Sequence, residues 1–65
     1  MQKMIRHNDY LKKTEEEATK LAESQGFTVR IIERDGKSMM VPMDYSNNRI
    51  NFAIVNGKVA DVSGG

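Results

Sequence analysis

The Asn56-Gly57 pair constrains the fold of this 65-residue chain more than any other feature. It separates two runs in which apolar residues alternate with others, 49–55 and 58–62. Asn-Gly between such runs is typical of a two-residue type I′ hairpin turn, in which both central residues have positive φ. The sequence therefore predicts two antiparallel strands here, followed by a small polar tail at 63–65.

A helix is predicted earlier in the chain, from Thr14 to Gln25. Thr14 and Glu17 have the spacing of a capping box, in which each side chain accepts a hydrogen bond from the other residue's main-chain amide. A narrow stripe of residues at helical spacing follows: Ala18, Leu21, Ala22 and Gln25. Gly26 is expected to end the helix, because glycine tolerates the left-handed conformation.

A further strand is predicted over 27–33, with a turn at Asp35-Gly36 after it. The connection from there to Arg49 is long and irregular, which argues against a tight hairpin. It could cross over and let the strand over 27–33 pair in parallel with the strand that begins at Arg49; a looser hairpin stays open. The sequence predicts an α/β (α+β) fold: one helix packed on a small twisted mixed β-sheet, with a long exposed loop between the first and second strands. Residues 1–65 form a single domain, in which 1–10 is an N-terminal strap or a frayed end.

Composition excludes several classes of function. The formal net charge is +1, and Lys and Arg are scattered among acids, which argues against nucleic-acid binding. The chain has no cysteine, so neither disulfides nor thiolate chemistry are available. It also lacks an apolar run long enough for a membrane span or a signal peptide, so no membrane contact is expected. The compartment is unknown, with the cytoplasm as the default.

No combination of side chains predicts catalysis. His7 is the one histidine, and with Asn8 and Asp9 beside it a solvated terminus is favoured over a metal site. The acids of the first helical turn are explained by the helix dipole; they are Glu15, Glu16 and Glu17. The serines at 38, 46 and 63 have no nearby general base in the sequence. We expect no enzyme, no metal and no cofactor.

The loop between the first two strands carries the strongest functional signal. Four apolar residues cluster in a segment that should face water: Met39, Met40, Val41 and Met43. Pro42 fixes its own φ and favours an extended conformation for the residue before it. Asp44 and Arg49 could form a charge-assisted hydrogen bond that ties the loop to the sheet. A stiffened, extended segment with a projecting side chain is what a protease cleft binds.

These residues also resemble a known family. The segments Val41-Pro42-Met43-Asp44-Tyr45 and Arg49-Ile50-Asn51-Phe52, with the glycine ending, are similar to the potato inhibitor I family. The resemblance is strongest to its bacterial and fungal serine protease inhibitor relatives, and it extends to the segment 11–18 that begins the helix.

The resemblance implies a chymotrypsin-inhibitor-like fold and a specific set of roles. The protease-binding loop would comprise Val41, Pro42, Met43, Asp44 and Tyr45. Met43 would enter the specificity pocket, and Met43–Asp44 would be the scissile bond. Asp44, Arg49 and Asn51 would support the loop. The implied partner is a subtilisin-like or chymotrypsin-like serine protease.

A second interpretation stays open. The same methionine-rich loop, or an exposed edge strand, could serve a non-inhibitory protein-interaction module. Either function is compatible with a monomer or a weak homo-oligomer. The sequence does not identify the target protease.

Overall fold

The computed structural model describes residues 5–40 and 46–65. Within these ranges the chain forms two helices and one four-stranded mixed sheet, which agrees with the predicted α+β class. The elements are α1 (His7–Tyr10), α2 (Glu15–Ser24), β1 (Thr28–Arg34), β2 (Lys37–Ser38), β3 (Arg49–Val55) and β4 (Lys58–Gly64). The strand order across the sheet is β2-β1-β3-β4.

The two central strands, β1 and β3, run parallel. Val29 pairs with Ile50 and Ile31 with Phe52. This decides between the two arrangements that the sequence left open. The segment between them contains a strand that the sequence did not predict, because β2 turns back after the Asp35-Gly36 turn and pairs antiparallel with the end of β1.

The local predictions for α2 and for the last hairpin are confirmed. Thr14 caps the helix: its Oγ1 accepts from the Glu17 amide at 3.1 Å, and a Glu17 carboxylate oxygen accepts from the Thr14 amide at 3.1 Å. Gly26 has φ 87°, as expected of a residue that ends a helix. Asn56 and Gly57 have φ of 52° and 76°, which fits the type I′ turn between β3 and β4.

The core lies between α2 and one face of the sheet. Its buried residues are Tyr10, Ala18, Ala22, Phe27, Ile50, Phe52, Ile54, Val59 and Val62. One helix was predicted, and α1 is a second one. It ends at Tyr10, in the segment for which the sequence left open a strap or a frayed end, and the Tyr10 side chain is completely buried. Its ring lies 5.4 Å from that of Phe52, and its hydroxyl donates to Gln25 Oε1 at 2.5 Å. Burial, with a smaller contribution from the charge of Asp9, raises the pKa of Tyr10.

The predicted polar tail at 63–65 is wrong for its first two residues. β4 continues to Gly64, which pairs with Ile50, while Ser63 pairs with Asn51. The Gly65 amide donates to the Arg49 carbonyl at 3.3 Å. The added strand length comes from pairing with a residue far away in sequence, and local composition does not reveal such a partner.

Both ladders of β3 shift register at the same level. Against β1 the shift falls between Ile31 and Glu33, and against β4 it falls between Ala53 and Ile54. Each shift places an extra residue in the neighbouring strand, as in a β-bulge, and bulges increase the local right-handed twist. The sheet is therefore most strongly twisted near Ala53.

Candidate functional site

The predicted protease-binding loop is described only at its two ends. Val41, Pro42, Met43, Asp44 and Tyr45 lie outside the described residues. The predicted contact between Asp44 and Arg49 lies outside them for the same reason. The structure describes the residues directly before and after this segment, and the side chains of the sheet next to them.

The segment enters from β2 with its backbone tied to β1. The Met39 amide donates to the Ile32 carbonyl at 2.8 Å, which extends the β1–β2 pairing by one residue. Beyond this bond the chain leaves the sheet, and the Met40 side chain is fully exposed (102%). Met39 is 43% exposed, so two large apolar side chains face solvent at the entry to the loop.

The segment returns to the sheet through a second tie to β1. The Asn48 carbonyl accepts from the Thr28 amide at 2.8 Å and from the Thr28 hydroxyl at 3.4 Å. The Ser46 hydroxyl donates to Asn48 Oδ1 at 2.8 Å, which orders the last residues before β3. The tie between Asn48 and Thr28 was not predicted, because it depends on the parallel register of β1 and β3, which the sequence left open.

The distance along β1 between the two ties is short compared with the extended length of the segment that joins them. Ile32 and Thr28 are four residues apart on β1, a rise of about 13 Å. Residues 40–47 could span about 30 Å if fully extended. The segment is therefore anchored at both ends and has more length than the gap along β1 requires.

Arg49 and Asn51, which the sequence predicts to support the loop, lie on the sheet face away from α2. They alternate along β3 with Ile50 and Phe52, which point into the core. Arg30 pairs with Asn51 in the parallel ladder, so its side chain belongs to the same outer face. This places two guanidinium-bearing residues around Asn51 at the end of the sheet from which the loop emerges.

Asn51 is unusual on this face because it is buried. It is 9% exposed, and its Oδ1 has no hydrogen-bond partner among the described residues. A buried acceptor without a donor costs about 1–3 kcal/mol. The alternation of the sequence marked Asn51 as an outer-face residue, but nothing in the pattern indicated that it would be covered.

The other polar residues considered in the sequence are spread over the molecule. His7 is exposed on α1, which packs on β4, whereas Ser38 is exposed on β2 at the opposite edge of the sheet. Within 5–40 and 46–65 no group of three or more metal-binding side chains comes together. In the same ranges no helix has the length and apolar character needed to cross a membrane.

The three glutamates that begin α2 make separate local contacts. Glu15 receives two hydrogen bonds from Arg34, at 2.6 and 3.1 Å, and these lower the pKa of the Glu15 carboxyl. Glu16 pairs with Lys20 one turn later at 3.2 Å. The prediction that these acids serve the start of the helix is confirmed for Glu17 by the capping box.

The chain matches no protein-family model, and comparisons with curated proteins and with solved structures likewise give no match. The resemblance to the potato inhibitor I family therefore rests on the segments 11–18, 41–45 and 49–52 and on the glycine ending.

Proposed function

We propose that this protein inhibits serine proteases by presenting the segment 41–45 as a substrate-like loop, with Met43 entering the specificity pocket. The observation that carries this proposal is the double tie to β1. The Met39 amide on Ile32 and the Asn48 carbonyl on Thr28 restrain both ends of the segment. A restrained segment loses less conformational entropy when it binds in an extended form.

The same ties favour an inhibitor over a substrate. If a protease cuts the Met43–Asp44 bond, the upstream piece ends shortly after β2 and the downstream piece begins shortly before β3. Because β1 and β3 are adjacent in one sheet, both new ends stay attached to the same scaffold. The new amine then stays near the acyl-enzyme, and resynthesis of the bond competes with hydrolysis.

Asn51 and Arg49 supply the proposed support beneath the loop. The buried Oδ1 of Asn51 can accept a hydrogen bond from a main-chain amide of the loop, which would remove the cost of its missing donor. Arg49 begins β3 directly below the returning chain, where its guanidinium can bind the Asp44 carboxylate. In this proposal the outer face of the sheet is a platform for the loop.

The proposed target is a subtilisin-like or chymotrypsin-like protease, and the protein itself is a binding partner that catalyses no reaction. Both protease classes bind substrates as added strands with side chains in pockets. A long, unbranched methionine side chain suits an apolar specificity pocket. No cofactor or metal is needed for this mode of inhibition.

The test is a titration of subtilisin and of chymotrypsin with the wild-type protein, with mass spectrometry of each mixture. We expect stoichiometric inhibition with slow cleavage confined to Met43–Asp44. Met43→Asp should weaken inhibition at least about 30-fold, the effect of removing a binding hot spot worth about 2 kcal/mol.

Val55→Asp is the matched control. Val55 is exposed (43%), and it lies at the end of β3 away from the loop. Inhibition should be unchanged in this variant. Unchanged inhibition by Met43→Asp would sink the assignment of Met43, and absence of inhibition by the wild type would sink the proposed function.

A second candidate function is a non-inhibitory interaction module. The exposed side chains of Met39 and Met40 favour it, because adjacent exposed apolar groups mark contact surfaces. Rapid cleavage throughout 40–47, without inhibition, would support this function over the first. An inhibitory loop would instead stay intact for long incubations.

A further inference from the structure

β4 lies at one edge of the sheet, with β3 as its strand neighbour on one side. The main-chain groups on the outer side of an edge strand can pair with a strand of another chain. In this protein the start of that side is paired with residues 12–14 of the N-terminal part 5–14, here called the guard segment. Main-chain hydrogen bonds make this cover, and two apolar side chains hold the guard segment against the core-facing side of the sheet.

The first half of the β4 edge is hydrogen-bonded to the guard segment. The Lys12 amide donates to the Val59 carbonyl at 2.9 Å, and the Val59 amide donates to the Lys13 carbonyl at 2.9 Å. Thr14 and Lys58 form an antiparallel bridge at the same place. These contacts have the geometry of strand pairing, so the guard segment fills the position of a neighbouring strand.

The second half of the edge is protected by other means. The Val62 amide donates to the Asp61 carboxylate at 2.9 Å, so a side chain of β4 itself satisfies that group. Ile5 lies over the core-facing side of Gly64, with its Cδ1 3.0 Å from the position that a Cβ on this glycine would occupy, and so it holds the guard segment against the sheet beside this edge. Tyr10, buried against Phe52, holds the middle of the guard segment in the core.

The guard segment has a strained point beside its hydrogen bonds. Lys12 has φ 70°, a left-handed conformation that costs energy for a residue with a side chain. The strain falls on the residue whose amide binds Val59. A conformational change at Lys12 would therefore break the hydrogen bond between its amide and the Val59 carbonyl.

The edge of β4 is self-complementary in charge. Lys58 and Asp61 are both exposed, and they lie on one face of the sheet because they pair with Val55 and Ala53, two residues apart on β3. A second copy of β4, placed antiparallel about an axis between Val59 and Ala60, would put each Lys58 opposite an Asp61 of the other copy. Opposite charges at facing positions favour that register.

We infer that the guard segment blocks self-association in cis, and that its release lets β4 pair antiparallel with β4 of a second copy of this chain. The intact protein is the closed form. The open form makes a two-fold symmetric dimer with one continuous sheet. This inference does not depend on the protease-inhibitor proposal, since the loop lies outside the paired edge.

The test uses two variants of the full chain at one position. Lys12→Pro removes the amide that binds Val59 and requires a φ near −65°, so it opens the guard segment. Lys12→Gly keeps the amide and relieves the positive φ, so it closes the segment more firmly. By sedimentation equilibrium, Lys12→Pro should dimerise with a Kd at least about tenfold lower than the wild type, because a larger fraction is open. Lys12→Gly should be monomeric.

Charge reversal tests the register. In the Lys12→Pro background, Asp61→Lys places like charges opposite each other and should abolish the dimer. Adding Lys58→Asp should restore it. A folded Lys12→Pro protein that stays monomeric at concentrations up to about 1 mM would overturn the inference, because even a weak specific dimer would form at that concentration. Dimerisation that survives the single reversal would overturn the β4–β4 arrangement.

Hydrogen exchange of the wild type gives a measurement that does not depend on whether the proline variant folds. The amides of Lys12 and Val59 both bond between the guard segment and β4. We expect them to exchange together through a local opening, faster than the core amide of Phe52. Exchange of Val59 only through global unfolding would show that the guard segment does not open separately, which contradicts the inference.

Discussion

The two faces of the sheet follow different requirements. Toward α2, β3 presents Ile50, Phe52 and Ile54, which are buried in an apolar core. Away from α2, the same strand presents Arg49 and Asn51 at the end from which the loop emerges. Burial of apolar side chains accounts for the first face. Asn51 on the other face is buried although its Oδ1 has no hydrogen-bond partner among the described residues, and this does not improve packing. The inner face therefore serves stability, and the outer face carries the residues that we propose to support the loop.

The largest expected effect is on the inner face. Phe52→Ala removes a completely buried ring that also contacts Tyr10, and should lower the free energy of unfolding by about 3–5 kcal/mol. A domain of this size has little stability to lose, so most of the variant should be unfolded. Urea denaturation followed by circular dichroism measures this. Val55→Ala, an exposed position on the same strand, should change the free energy by less than about 0.5 kcal/mol.

Asn51→Val should have a smaller effect of the same sign. It removes the Oδ1 that is proposed to accept a hydrogen bond from a loop amide, and should lower the free energy of unfolding by about 1 kcal/mol. At the same time the proposed support for the loop is lost, so proteolytic cleavage within 40–47 should accelerate. Thermal melts and timed digests report the two effects separately. A stable variant with unchanged loop cleavage would remove Asn51 from the proposed support.

The smallest effect is expected for the charged contact beside the inner face, between Glu15 and Arg34. The hydrogen bonds from Arg34 lower the pKa of Glu15 below its ordinary value. A carboxyl whose folded pKa is lowered stabilises the fold above its unfolded pKa, and this contribution is lost as pH falls through the folded pKa. Glu15→Gln should therefore be slightly less stable than the wild type at neutral pH, and the difference should shrink as pH falls below the ordinary pKa of glutamate and vanish below the lowered pKa of the folded state.

Salt provides the control for that prediction. Both side chains are partly exposed, at 35% for Glu15 and 44% for Arg34, so solvent screens their interaction. The difference between Glu15→Gln and wild type should shrink in about 1 M NaCl at neutral pH, where the Debye length is about 3 Å. A difference that is independent of both salt and pH would mean that the ion pair is not its source.

Features that depend on neighbouring residues could be read from the sequence. The capping box of Thr14 and Glu17 and the turn at Asn56-Gly57 each involve residues at most three apart, and both are confirmed. The alternation along β3 likewise separated its inner from its outer face. In each case the side chains that decide the local structure lie within a few residues of one another in the sequence.

Features that depend on distant partners could not be read in the same way. The parallel pairing of β1 with β3, the extension of β4 to Gly64 and the burial of Tyr10 all require a contact across the molecule. Composition around Tyr10 is polar, and a glycine-rich ending is typical of a tail. At the site, the polar nature of Asn51 was visible, but its burial depends on what the fold brings over it.

The paired register shifts around Ala53 have a consequence for aggregation. Cross-β fibrils need flat strands that stack in register with identical segments above and below them. β3 is the most apolar strand of the protein, but the shifts in both of its ladders fall at one level, where the sheet is most twisted. A flat stack would require both bulges to be removed together, so the native sheet is a poor template for fibril growth even where an edge is uncovered.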